Sequence, residues 1–195
     1  MRTRLILASG SPRRKELLNQ IGVNFRVHPV DMDEAMLSGE GVLAHVRRLA
    51  LEKARAGFEQ TDQLGNARAV LGADTVVEID GQILGKPANT RQAGVFLARL
   101  SGRKHQVHTA VALITRDTEQ VEVSSSEVEF ARLTEQQIHA YVKSGEALDK
   151  AGAYAIQGIA GQFVVNLNGS YSGVMGLPLY ETVKLLSAGG IAGLI

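Results

Sequence analysis

A continuous apolar run, Leu5-Ile6-Leu7-Ala8, leads straight into Ser9-Gly10-Ser11-Pro12 and then into the cationic stretch Arg13-Arg14-Lys15. Four successive apolar residues read as a strand buried on both faces, the kind that the parallel sheets of α/β proteins contain. Pro12 fits the first turn of a helix, where a missing N–H costs nothing, with Ser11 as its N-cap. That start commits the chain to helices packed on a sheet. It also sets three cations at a helix N-terminus, whose N–H groups favour anions. Cations there oppose the helix dipole, so helix stability does not account for Arg13, Arg14 and Lys15. Two readings stay open: a solvated basic turn, or phosphate binding by Ser9, Arg13 and Arg14.

Further along, periodicity predicts helices over residues 42–58, 90–100, 134–145 and 178–187, with Thr90 as a cap and Thr134-Glu135-Gln136-Gln137 as a capping box. Strands are predicted over 24–30, 69–73, 76–79, 83–84, 105–115, 120–131, 153–157 and 162–167. Asp80-Gly81 between two of them is a hairpin signal, and residues 60–67 read as linker. Helices interleaved with long antiparallel pairs argue a mixed α/β sheet.

The 195 residues suffice for one domain, or two small lobes. Hydrophobic residues at 45% and charged residues at 21% exclude disorder as the main state. With no cysteine in the chain, disulfide scaffolds, cysteine zinc sites, iron–sulfur clusters and thiol catalysis are excluded. A net charge of +1 does not fit a dedicated nucleic-acid binder. The apolar residues after the basic start are too few for a signal-peptide core. The apolar tail over 185–195 is shorter than the roughly 20 residues a membrane helix needs. The expectation is a cytoplasmic protein with no membrane or nucleic-acid partner.

Gly72-Ala73-Asp74-Thr75 sets a carboxylate just past a predicted buried strand end, where α/β active sites tend to lie. Asp74 there can hold a metal, act as a general base, or serve as an ordinary turn residue. Gly85-Lys86-Pro87 lacks the hydroxyl of a P-loop, although Lys86 remains a candidate phosphate cation. Asp31, Asp33 and Glu34 cluster on one predicted loop and can bind a divalent ion through oxygen, or simply face solvent. The histidines (His28, His45, His105, His108 and His139) lack zinc-type spacing and read as structural. In Ala151-Gly152-Ala153-Tyr154-Ala155-Ile156-Gln157-Gly158, Gly158 suggests close approach of backbone or ligand.

Taken together, these segments resemble the Maf family of nucleoside triphosphate pyrophosphatases. The matching stretches begin with Leu7-Ala8-Ser9-Gly10-Ser11-Pro12-Arg13-Arg14, Gly72-Ala73-Asp74-Thr75, Gly85-Lys86-Pro87 and Leu100-Ser101-Gly102. They continue through Asp149-Lys150-Ala151-Gly152-Ala153-Tyr154, Ile156-Gln157-Gly158, Asn168-Gly169-Ser170-Tyr171 and Gly176-Leu177-Pro178-Leu179. They keep the family order along nearly the whole chain. The resemblance implies a single Maf-like domain over 1–195, in the fold of the inosine-triphosphatase-like enzymes. That fold has a mixed, elongated β-sheet flanked by helices, with two lobes around a central cleft. It implies hydrolysis of a nucleoside triphosphate to the monophosphate and pyrophosphate, assisted by a divalent cation such as Mg²⁺ or Mn²⁺.

By position, the resemblance gives Asp74 the catalytic-base role, with Asp74 and Glu34 toward the metal. Ser9, Arg13, Arg14, Lys53 and Lys86 match its phosphate and cleft positions. Two bacterial branches are distinguished by short motifs, and Ala73-Asp74-Thr75 with Ile156-Gln157-Gly158 resembles the dTTP/UTP branch. The Gln157 amide offers an acceptor and donors that match the N3–H and carbonyl of a uracil ring. Thr75 is the second position that separates the branches. The alternatives are the sister branch acting on 7-methyl-GTP, and a non-catalytic nucleotide-binding regulator of septum formation. A homodimer is compatible with either.

Overall fold

The structure, a computed structural model, describes residues 5–60 and 68–191. The expected linker lies outside the described residues, apart from Gln60, which closes the second helix. The elements in chain order are β1 (Leu5–Leu7), α1 (Pro12–Gln20), β2 (Phe25–Val27), α2 (Val42–Glu59), β3 (Ala69–Ile79) and β4 (Gln82–Leu84). They continue with α3 (Thr90–Leu100), β5 (Lys104–Thr115), β6 (Glu119–Phe130), α4 (Glu135–Lys143), β7 (Val164–Asn168), α5 (Tyr171–Met175) and α6 (Leu179–Ala188). Among the described residues, seven strands form one mixed sheet in the order β2-β1-β3-β5-β6-β7, with β4 paired to β3. β1 is parallel to both β2 and β3, with Leu5 opposite Ala69 and Leu7 opposite Leu71. The pairs β3–β4 and β6–β7 are antiparallel. The expected mixed α/β sheet with flanking helices is therefore present. Among the described residues, no helix is long and apolar enough to cross a membrane.

The chain divides into two compact units. The first takes Met1–Asp74, Thr109–Ser124 and Gly176–Ile195; the second takes Thr75–His108 and Ser125–Met175. In the first unit Ile6, Ala8 and Val70 form a core cluster with Val30 and Phe58 packed against it. One stripe of α2 is buried: Val46, Leu49, Ala50, Ala54 and Gly57, at the spacing of a single helix face. Burying a side chain such as Leu49 stabilises the fold by about 1.5–3 kcal/mol. The helix comes so close to β3 that a Cβ on Gly72 would stand 2.3 Å from the Ala50 carbonyl oxygen and 2.6 Å from the Ala54 nitrogen. Only glycine admits that approach.

The second unit packs around aromatic rings meeting edge to face. Phe130 lies 4.8 Å from Tyr154 and 5.1 Å from His105, and Tyr141 lies 5.4 Å from Phe163. The capping box opens α4 as expected, with Gln137 N–H donating to Thr134 Oγ1 and Thr134 N–H to Gln137 Oε1. At Asp80-Gly81 both residues take positive φ, 55° and 71°, which is the twist a two-residue hairpin demands.

Three expectations are corrected, and one short helix is added. The strands predicted over 69–73 and 76–79 are one continuous strand, so Asp74 sits in its middle and not past its end. Thr75, Val76 and Val77 are β-branched and hold the chain extended, while Lys53 compensates the buried charge of Asp74. Residues 153–157 do not form a strand, because Gly152 and Ala153 turn to φ of 66° and 61°. That segment instead makes a 3-10 turn at Ala151–Ala153, with another at Ile159–Phe163 before β7. Helix α3 is capped by Asn89, whose side chain accepts from Gln92 N–H at 2.9 Å, and Thr90 is its first residue. Short α5 was not expected, since five residues carry no periodicity; Ser170 Oγ accepts from Gly173 N–H at its start.

Candidate active site

Six of the expected site residues belong to the first unit: Ser9, Arg13, Arg14, Glu34, Lys53 and Asp74. Ser9 follows β1 and is buried; its Oγ accepts from Ser11 N–H at 3.3 Å and from Arg14 Nη1 at 3.0 Å. Arg14 Nε donates to the carbonyl of Gly176 at 2.8 Å, so the guanidinium is held at both edges. Ser11 occupies the N-cap of α1 as predicted, with Pro12 as the first helical residue, but its side chain makes no capping hydrogen bond. Burial pulls the Arg14 pKa down, Asp74 pushes it up, and Arg13 and Glu34 act on it more weakly in opposite senses. Those influences put Arg14 and Asp74 in one electrostatic neighbourhood. Arg13 is half-buried in the same helical turn.

Lys53 lies on the inward stripe of α2 and is buried, which is rare for a lysine without a partner. Its Nζ stands 2.7 Å from Asp74 Oδ1 and 2.5 Å from Glu34 Oε1. One ammonium thus joins a buried carboxylate of β3 to a carboxylate of the loop before α2. The tight seat of α2 at Gly72, two residues before Asp74, sets the distance.

The loop bearing Glu34 is fixed by residues that sequence reasoning passed over. Arg48 donates through Nε to Glu40 Oε1 at 2.7 Å and through Nη2 to Glu40 Oε2 at 2.8 Å. The same Nη2 reaches the carbonyl of Ala35 at 3.0 Å, and Nη1 reaches Glu52 at 3.0 Å. Arg48 holds the Glu40 carboxyl down at about 2, well below its ordinary range. The signal available beforehand was weak: an Arg and a Glu eight residues apart across a helix start. Lys53 offered a better signal, a charged residue in an apolar helical slot.

The three-carboxylate ion loop is not borne out. Asp33 Oδ1 accepts from Ala35 N–H in a local turn, and Glu34 goes to Lys53 instead. Among the described residues no group of three His, Asp or Glu side chains could hold a metal. Asp74 and Glu34 are nonetheless two hard oxygen donors converging on one cation, Lys53. Mg²⁺ characteristically binds one or two carboxylates and completes its shell with water and substrate phosphate, and the donor pair fits that use.

Thr75, Lys86 and Gln157 belong to the second unit. Thr75 is half-buried on β3, whereas Lys86 and Gln157 are exposed. The carbonyl of Gly85 accepts from Gly152 N–H at 3.1 Å, which ties the Lys86 segment to the turn leading toward Gln157. Of the histidines, His45 bonds Glu40, His28 bonds Gln60, and His108 joins Ser125 Oγ at 2.7 Å to Glu78 at 2.9 Å. His105 bonds Tyr154 at 2.8 Å.

A family model described as Maf-like protein matches residues 4–189. A dTTP/UTP pyrophosphatase of Pseudoalteromonas atlantica is 52% identical over 188 residues, covering 96% of this chain and 98% of that protein. A dTTP/UTP pyrophosphatase of Methylobacillus flagellatus is 50% identical over 190 residues, covering 97% and 94%. Among solved structures, the Staphylococcus aureus Ham1 protein shares the fold at a TM-score of 0.51 and 15% identity, covering 95% of this chain and 98% of that one.

Proposed function

The chain belongs to the family of Maf-like proteins, and from that premise we propose that it hydrolyses dTTP and UTP to the monophosphate and pyrophosphate. The observation that carries the reading is Lys53 bridging Asp74 and Glu34, with Arg14 held in the same charged neighbourhood. A triphosphate and its in-line transition state spread negative charge over several oxygens, which preorganised cations stabilise. Arg14, already fixed by Ser9 and Gly176, loses little freedom on meeting a phosphate, and its planar fork suits two phosphate oxygens. Arg13 and Lys86 add positive charge to the phosphate chain.

Asp74 accepts a hydrogen bond from the attacking water and takes its proton as the oxygen approaches the α-phosphorus. Lys53 fixes the Asp74 carboxylate and compensates it before substrate arrives. Asp74 and Glu34 would hold the divalent cation, Mg²⁺ or Mn²⁺, which when bound neutralises phosphate charge and makes pyrophosphate a better leaving group. Gln157 reads the N3–H and carbonyl edge of the pyrimidine, with Thr75 lining the selective side. The test is hydrolysis of UTP in ¹⁸O-labelled water. Attack at the α-phosphorus puts the label in UMP; label in pyrophosphate would refute it.

A further inference from the structure

Glu146 receives three hydrogen bonds that converge on its carboxylate. Tyr141 OH donates to Oε1 at 2.9 Å, Ile159 N–H to Oε2 at 3.0 Å and Ala160 N–H to Oε1 at 3.3 Å. The two backbone donors open the 3-10 turn Ile159–Phe163, so the carboxylate caps that turn from thirteen residues upstream. Gln157 lies two residues before Ile159, in a turn closed by Gly158 N–H donating to the Ala155 carbonyl at 3.0 Å. A Cβ on Gly158 would stand 2.2 Å from Glu146 Oε2. The turn therefore lies directly against the carboxylate, and only a glycine lets it. Gly161 is pressed in turn against the Ile156 carbonyl, 2.8 Å from where its Cβ would lie. Gln157 is exposed, so the direction of its side chain follows chiefly from this backbone.

We infer that Glu146 is a positioning residue for substrate selection: by capping the 159–163 turn it aims the Gln157 amide at the base. This rests on the reading above that Gln157 recognises the pyrimidine. Glu146 touches no reacting atom and does not take part in the hydrolysis itself. Loss of the cap releases Gln157 while Ser9, Arg13 and Arg14 of the first unit stay as they are, so the defect is one of binding.

The experiment measures kcat and KM for UTP and for GTP with wild type, Glu146→Gln, Gly158→Ala, Gln157→Ala and the double variant Glu146→Gln/Gln157→Ala. Thermal melts run alongside. Glu146→Gln replaces one acceptor oxygen by a donor that faces backbone N–H groups. The expected result is a roughly tenfold fall in UTP-over-GTP preference, carried by a raised KM for UTP with kcat little changed. Gly158→Ala should give the same fall, because the added methyl drives the carboxylate from its partners. In the Gln157→Ala background, Glu146→Gln should change the preference no further. A purely structural role would not produce that non-additivity. If Glu146→Gln and Gly158→Ala keep wild-type preference, or if the effect persists without Gln157, the positioning role is overturned while the hydrolase reading stands. If wild type prefers UTP but Gln157→Ala does too, base reading by Gln157 falls, and the inference with it. A wild type that does not cleave UTP removes the premise itself.

Discussion

Lys53 Nζ stands 2.7 Å from Asp74 Oδ1, and each side chain is only 9% exposed. Removing one partner of such a pair leaves an uncompensated buried charge. Lys53→Met should therefore destabilise the protein by about 3 kcal/mol. Lys53→Met/Asp74→Asn should recover part of that loss in denaturant titrations, because the stranded charge is gone. Asp74→Asn alone should stay folded and lose turnover by about 10²–10⁴-fold. A folded Asp74→Asn that releases pyrophosphate at the wild-type rate would remove Asp74 from the chemistry.

The seat of α2 offers a second prediction. In Gly72→Ala the new methyl meets the Ala50 carbonyl and the Ala54 nitrogen, both backbone atoms that cannot step aside alone. The helix must lift from β3, at a cost of about 1–3 kcal/mol, and carry Lys53 away from Asp74. Chemical denaturation should show the loss of stability, and turnover should fall with it. Unchanged stability would mean that α2 is not held as tightly as the close approach requires.

Charge toward the phosphates is tested by Arg13→Ala, Arg14→Ala and Lys86→Ala. Each should lower kcat/KM for UTP by about 10–150-fold, the worth of one charge-assisted hydrogen bond. Arg14→Ala should be the most damaging, since that side chain also joins Ser9 to the Gly176 carbonyl. If none of the three changes kcat/KM, the basic turn is only a solvated surface.

Acid stability turns on His105. Burial pushes its pKa down to about 4, and among the described residues its Nδ1 has no partner. The unfolded chain takes up a proton near 6.5 and the folded one resists until about 4. The stabilising contribution is therefore complete above pH 6.5 and is lost as pH falls toward 4, amounting to about 3 kcal/mol. His105→Phe keeps the edge-to-face contacts with Phe130 and Tyr154 and removes the titration. Its melting temperature should fall less than that of wild type between pH 7 and pH 5. Parallel falls in both proteins would assign acid sensitivity elsewhere.

Much of the architecture was legible in local patterns. The β1–α1 start, the hairpin at Asp80-Gly81 and the capping box at Thr134 each carry their signal within a few residues, and each forms as expected. Asp74 looked like a strand end because a carboxylate is unfavourable inside a sheet; what permits it is Lys53, 21 residues away, which no local window contains. The segment around Gln157 looked extended because Ala153–Ile156 is apolar, yet left-handed Gly152 and Ala153 turn it. Arg48, Glu40 and Glu146 went unnoticed for the same reason as Lys53's partnership. Their partners are side chains and backbone groups that only the fold brings near, and composition does not record them.

The central claim is tested most directly by measuring pyrophosphate release from wild-type protein with Mg²⁺ or Mn²⁺ over a panel of UTP, dTTP, CTP, ATP, GTP and 7-methyl-GTP. The account predicts that UTP and dTTP are both good substrates and yield monophosphate and pyrophosphate in equal amounts, because neither the 2′-hydroxyl nor the 5-methyl group lies on the edge that Gln157 reads. GTP and 7-methyl-GTP should be poorer, since their N1–H and N2 amino donors face the amide donors of Gln157 at a cost of about 1–3 kcal/mol per mismatched group. Faster hydrolysis of 7-methyl-GTP than of UTP would contradict the account.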